Sequence, residues 1–223
     1  MAGASIVTEG KGAIAITMGS GHSVRLDTAT RVRVLTGSLL ELEEGAVYVD
    51  SGGRAGADGG SLGIRTSLGM VRDIGTQYLV RSSDEGIRIR VREGTVLVNG
   101  GNAGNLPVTA GSELAVDEGG SSSFSEAPIY GTAWDWAERT APMMDLEGKS
   151  LRTFLDWFSR ERGYRLSYAD PETERAASTI VLSGSILGLT LHEALDAVLP
   201  TCGMTSRLVE GDLMIAPSRQ DGA

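Results

Sequence analysis

From Val71 to Asn99 the chain reads VRDIGTQYLVRSSDEGIRIRVREGTVLVN, and apolar and polar residues alternate along much of it. Ile87, Ile89 and Val91 alternate with Arg88, Arg90 and Arg92, the period of a strand with one buried face. Glu93-Gly94 predicts a turn, after which Val96 and Val98 resume the alternation. The same pattern recurs. Leu40 and Leu42 lead to Glu43-Glu44-Gly45 and then to Val47 and Val49. Leu79 and Val80 lead through Asp84-Glu85-Gly86 to Ile87, and Ala115-Val116 runs into Asp117-Glu118-Gly119. Acid-glycine turns between alternating runs predict an all-β N-terminal domain of short antiparallel strands, stacked or sandwiched and β-solenoid-like. The arginines are expected on a solvated outer face, where they discourage edge pairing.

The pattern changes after residue 119. Residues 1–130 hold 23 of the 31 glycines, so turns thin out in the remainder. Residues 119–132, GGSSSFSEAPIYGT, have linker composition. The segment WDWAERT follows, and Trp134 and Trp136 are expected to be packing anchors where the two parts meet. Then comes a repeat at an offset of 40. Ser150, Leu151, Leu155, Asp156 and Gly163 correspond to Thr190, Leu191, Leu195, Asp196 and Gly203. Each copy predicts a capped amphipathic helix. Ser150 and Thr190 are N-caps, and Thr190 with Glu193 makes a capping box. Leu151, Phe154, Leu155 and Phe158 form one apolar stripe, matched by Leu191, Ala194, Leu195 and Val198. Gly163 and Gly203 suit the helix ends. Strands are expected at 143–146, 164–168, 179–182, 204–208 and 213–215, giving a small α+β C-terminal domain of βαβ-βαβ type. The expected organisation is a β domain at 1–119, a linker at 120–142, the α+β domain at 143–217 and a disordered tail at 218–223.

Composition narrows the chemistry. The 223 residues suit two modest domains, and 41% apolar content supports real cores. A formal net charge of −9 disfavours nucleic acid or an anionic membrane surface as a partner. Cys202, the sole cysteine, excludes an internal disulfide and a cysteine-based zinc site. No window approaches the ~18 apolar residues of a membrane span, and the N-terminus lacks the charged start and apolar run of a signal peptide.

No catalytic constellation emerges. The glycine-rich stretch 51–63 lacks the Gly-Lys-Ser/Thr of a phosphate loop and reads as a flexible loop. His22 and His192 are too few for a histidine-based metal site, and neither has a diagnostic serine and acid beside it in sequence. Glu43, Glu44, Glu85 and Glu93 lie in turns where a solvated role is expected. Cys202 reads as a small buried residue. No enzyme activity, cofactor or metal is expected.

Three linked motifs carry a family resemblance: GSGHSVRLDTATRVRV with ELEEGAVYVDSGG; IRTSLGMVRDIGTQYLVR with Thr66, Leu68, Gly69, Val71, Gly75, Thr76 and Tyr78 at its core; and VREGTVLV followed by TAGSELAV. Over residues 5–118 the chain resembles FecR-family proteins. The repeat resembles, more loosely, the secretin and TonB short N-terminal domain. The resemblance implies a periplasmic signal-receiving module of a regulator of an extracytoplasmic-function sigma factor, with the signalling domain of an outer-membrane TonB-dependent transducer as its protein partner. Family members reach the sigma factor through a cytoplasmic segment and a membrane helix, which this sequence lacks. The chain is therefore expected to be the ectodomain alone, tied to the membrane only through a missing upstream helix.

By fold analogy, the expected partner interface is an exposed sheet edge at Thr179, Val181 and Ser183, or at Leu213 and Ile215, that pairs with a strand of the partner. The alternative is a stand-alone adaptor binding a glycan or a structural envelope protein, with Tyr48, Tyr78 and Tyr130 as aromatic candidates.

Overall fold

The alternating runs form strands that build two sheets sharing a single member. The computed structural model describes residues 3–10, 12–52, 60–73, 75–100 and 104–218. The chain divides into two units, Met1–Ile129 and Tyr130–Ala223. Most of the glycine-rich stretch 51–63 and nearly all of the tail 218–223 lie outside the described residues.

The first unit contains β1 (Ser5–Val7), β2 (Ile14–Thr17), β3 (Ser23–Leu26), β4 (Arg31–Thr36), β5 (Leu39–Asp50), β6 (Gly63–Thr66), β7 (Gly69–Asp73), β8 (Gln77–Ser83), β9 (Gly86–Glu93), β10 (Thr95–Gly100), β11 (Asn105–Thr109), β12 (Ser112–Val116) and β13 (Ser122–Glu126). One sheet runs β1-β4-β5-β6-β7-β10-β11. The other runs β2-β3-β5-β8-β9-β12-β13. The first half of β5 pairs with β4 and β6, and its second half with β3 and β8. Valines, leucines and isoleucines from both sheets meet in one buried core.

Glu43-Glu44-Gly45 is therefore not a turn between strands. It is a bend inside one twelve-residue strand, beside a register shift against β4. Gly45 has φ +97, and a Cβ there would lie 2.4 Å from Thr30 Oγ1 and 2.5 Å from Thr30 Cα. Buried Thr30 fills that space, and its hydroxyl accepts a hydrogen bond from Ala46 N at 3.0 Å. Glu93-Gly94 is a second corner, where the chain leaves β9 in one sheet and enters β10 in the other. At φ +77, a Cβ on Gly94 would lie 2.7 Å from Thr76 Cγ2 and 2.9 Å from Gly75 O. The other two acid-glycine marks are hairpins, β8–β9 and β12–β13. The solenoid-like expectation also fails, because a solenoid stacks parallel coils and, among the described residues, only β5–β6 is parallel in this unit. The expected linker start is corrected too. Residues 122–126 are a strand, disguised by serines because every residue on it is exposed and no alternation marks it.

The second unit contains α1 (Asp135–Arg139), α2 (Leu151–Arg162), β14 (Arg165–Tyr168), α3 (Pro171–Thr179), α4 (Leu191–Thr201), β15 (Met204–Val209) and β16 (Asp212–Pro217). The repeat appears as α2 and α4. Ser150 Oγ accepts from Thr153 N, and Thr190 with Glu193 closes a capping box. Hydrogen bonds from Thr190 hold the Glu193 carboxyl below its ordinary range. Leu151, Phe154, Leu155 and Phe158 are buried with Leu191, Ala194, Leu195, Val198, Leu213 and Ile215 in one core. Trp134 and Trp136 belong to this unit and are both buried.

Two expected strands are displaced. Residues 143–146 are not a strand; instead residues 148–151 pair with 180–182, through Gly148 N to Leu182 O, Leu182 N to Lys149 O and Leu151 N to Ile180 O. Helix α3 occupies a stretch read as connection. Asp170 caps it by accepting from Thr173 N, and Pro171 begins it. Its buried face consists of Thr173 and Ala177, too weak a stripe for periodicity to reveal.

Gly45→Ala is expected to destabilise the first unit by about 2–6 kcal/mol, combining positive-φ strain with overpacking; a melting temperature equal to wild type would disprove the corner's role. Phe154→Ala should cost about 3–5 kcal/mol in denaturant unfolding of the second unit, and an unshifted midpoint would refute its place in the core.

Candidate functional site

The small sheet of the second unit has the order β14-β16-β15. β15 and β16 form a hairpin through Glu210 and Gly211, both at positive φ, the conformation of a tight two-residue turn. β14 then pairs parallel to the far side of β16. The last strand in sequence is therefore the middle strand in space. Leu213, 1% exposed, and Ile215 sit in the core beneath the helices rather than at an edge. Their assignment to an exposed sheet margin is corrected for this reason: order along the chain does not give order across a sheet that contains a parallel crossover.

The other proposed margin changes as well. Thr179 ends α3, and its hydroxyl donates to the Ala176 carbonyl at 3.0 Å. Val181 makes a single bridge to Ser150 and is 69% exposed, while Ser183 is exposed beyond it. The structure does not gather the five residues into one site.

The free edge of the hairpin is β15. Ser218 N donates to Gly203 O at 2.8 Å, and Val209 pairs with Asp212 across the two-residue turn. Bonded and unbonded pairs alternate along an antiparallel ladder, so Ser206 and Leu208 direct their amides and carbonyls away from β16. Leu208 lies in the cross-strand row Leu166–Leu213–Leu208, where Leu213 is buried and Leu208 is 43% exposed. Val209 beside it is also exposed. Among the described residues this edge combines backbone that has no strand partner with apolar side chains, a geometry that accepts an added strand. The sequence does mark these residues, as the alternation ending at Val209 before the turn, but not their position at an edge.

Two clefts lie in the same unit. One, of about 710 Å³, is lined by Ala141, Met143, Leu189 and Leu191, with the Glu138–Arg162 ion pair at its side. The other lies between α2, α3 and β14. There Arg152 pairs with Glu174 at 2.6 Å, and burial pushes the Asp156 carboxyl and the Tyr168 phenol above their ordinary ranges.

In the first unit the structure assembles a group that sequence adjacency missed. His22 Nε2 lies 3.0 Å from Asp73 Oδ2, and His22 Nδ1 lies 2.9 Å from Ser20 Oγ. Asp73 also accepts from Leu62 N. Both His22 and Asp73 are buried, so the group ties the β2–β3 turn of one sheet to β7 of the other. Burial and the nearby Asp73 hold the Tyr78 phenol well above its ordinary range. Among the described residues, no three His, Cys, Asp or Glu side chains are placed to hold a metal.

The arginine stripe is not one solvated face. Arg88 pairs with Glu113 at 3.2 Å and Arg90 pairs with the same carboxylate, whereas Arg92 is buried and donates from Nε to Ile129 O at 2.8 Å. Of the aromatic candidates for glycan binding, Tyr48 and Tyr78 are fully buried, and Tyr130 packs on Tyr164 with ring centroids 6.0 Å apart. No described helix is long and apolar enough to cross a membrane.

Comparison with known proteins follows these geometries. Residues 4–97 match the family described as FecR protein. No curated protein matches the chain. Two crystal structures of a protein from Parabacteroides distasonis, provisionally assigned as an anti-sigma factor, have a similar fold. Each aligns over 97% of this chain at 16% identity with a TM-score of 0.50, covering 99% and 100% of the respective chains. At that identity the likeness concerns fold.

Leu213→Lys is expected to unfold the second unit, because it places an uncompensated charge in the core; a folded variant with wild-type melting would return β16 to the surface.

Proposed function

Because this chain belongs, through residues 4–97, to the FecR protein family, we propose that it is the signal-receiving part of a FecR-type regulator of an extracytoplasmic-function sigma factor. It works in the periplasm by binding rather than by catalysis. Its second unit serves as a domain of the secretin and TonB short N-terminal type, and its partner is the signalling domain of an outer-membrane TonB-dependent transducer. The observation that carries this reading is a FecR-matched β unit followed by a duplicated capped-helix unit with an open edge at β15.

In this mechanism a strand of the transducer adds antiparallel to β15. Its backbone bonds to the outward groups of Ser206 and Leu208, and its apolar side chains cover Leu208 and Val209. Backbone pairing supplies affinity, and the side chains on β15 supply discrimination between transducers. Sigma-factor control itself would pass through segments beyond these residues. The glycan-adaptor alternative is weakened by the burial of Tyr48 and Tyr78.

The test is calorimetric titration of the whole chain with isolated signalling domains of TonB-dependent transducers from the same organism. One of them should bind, and Leu208→Pro should weaken it about tenfold or more without lowering the melting temperature, since the proline removes only an outward amide. Absence of binding to every such domain, or cosedimentation with cell-wall material instead, would reject the proposal.

A further inference from the structure

The second sheet of the first unit ends on β13, whose outer side has no strand partner among the described residues. The hairpin with β12 determines which backbone groups face that side. Asp117 N donates to Ser121 O at 3.0 Å, and Ala127 N donates to Gly111 O at 2.9 Å. By the alternation of antiparallel ladders, Ser123 and Ser125 use their amides and carbonyls on β12. Ser122, Phe124 and Glu126 direct theirs outward.

The side chains add a second feature. One apolar row crosses the whole sheet: Ile14, Leu26, Val47, Val80, Ile89, Leu114 and Phe124 are successive cross-strand neighbours. The inner members are fully buried, but Phe124 is 54% exposed. β13 carries no proline, lysine or bulge to blunt its edge, whereas the edge strand β11 carries Pro107 and the edge strand β1 has only three residues.

We propose that β13 is a self-association edge, at which a second copy of this chain pairs antiparallel about a two-fold axis through Phe124. In that register Phe124 bonds with Phe124 of the second copy, and Ser122 bonds with Glu126 at either end. About six backbone hydrogen bonds close the joint. The two rings become direct cross-strand neighbours and extend the apolar row.

The strand itself selects a second copy as the occupant. Its only charges, one Glu126 per strand, fall opposite serines and never opposite each other. The other edge of the same sheet is a poorer acceptor. Met18 N donates to His22 O at 2.9 Å, so on β2 only Ala15 and Thr17 face outward. Pairing of β13 with β13 also closes on itself, whereas β13 with β2 would propagate. Each copy carries a net charge of −9, so salt should strengthen the association by screening long-range repulsion. The contact is short, so the dimer is reversible.

Sedimentation velocity of the whole chain, across a concentration series at low and high salt, tests this. A monomer–dimer equilibrium that shifts towards dimer with salt is expected. Phe124→Pro, which removes an outward amide, and Phe124→Lys, which leaves the backbone intact, should each weaken it about tenfold or more at unchanged melting temperature. Ala15→Pro should have no effect. If Phe124→Pro lowers the melting temperature, Phe124→Lys alone decides. A chain that stays monomeric at all concentrations, a dimer that survives Phe124→Lys, or a dimer lost in Ala15→Pro would each overturn the proposal.

Discussion

The first unit depends on one strand being able to belong to two sheets. Twelve residues of β5 pair with β4 and β6 before Gly45 and with β3 and β8 after it. That change of partners needs a sharp bend at a point where another strand passes within contact distance, so the residue must tolerate positive φ and carry no side chain. Thr30 occupies the space that a side chain would have taken and hydrogen-bonds the backbone of Ala46 just past the bend. Gly94 repeats the solution beside Gly75 and Thr76. With these corners in place, the two sheets face each other and their alternating residues close a single core. The buried His22–Asp73 pair adds a polar tie across the same space.

A curled sheet of this kind does not close into a barrel, and so it keeps edges. The small sheet of the second unit keeps edges as well. In both units an apolar cross-strand row runs through the core and continues onto an edge strand, at Phe124 in one and at Leu208 in the other. An edge that pairs unused backbone with a continuing apolar row is suited to receive another strand. Polar side chains of the first unit are engaged with one another and with backbone. Asp73 is engaged by Leu62 N as well as by His22, and Arg88 and Arg90 share the one carboxylate of Glu113.

Much of this was legible in the order of residues. The two helices of the repeat were written in their caps and stripes, since Ser150, Thr190 and the Leu-Phe-Leu-Phe face act within a few residues of one another. The alternation of β9 and β10 was equally plain, because each turns every second residue, isoleucine or valine, into the core. Helix α3 was missed although Asp170-Pro171-Glu172 marks its start, because alanine and threonine give no hydrophobic period. Strand β13 was missed because a strand exposed on both faces shows no period at all.

Sequence alone settled what depends on near neighbours: which runs are strands, which are capped helices, and where the chain must bend. It could not say what each bend does. Asp84-Glu85-Gly86 and Glu43-Glu44-Gly45 are alike as text, yet the first turns a hairpin and the second carries one strand between two sheets. Nor could it say that the last strand, β16, lies in the middle, or that His22 meets Asp73. Those outcomes are set by contacts between residues far apart in the chain, where the energy comes from joint burial and hydrogen bonding, and only the folded arrangement brings both partners of such a contact together.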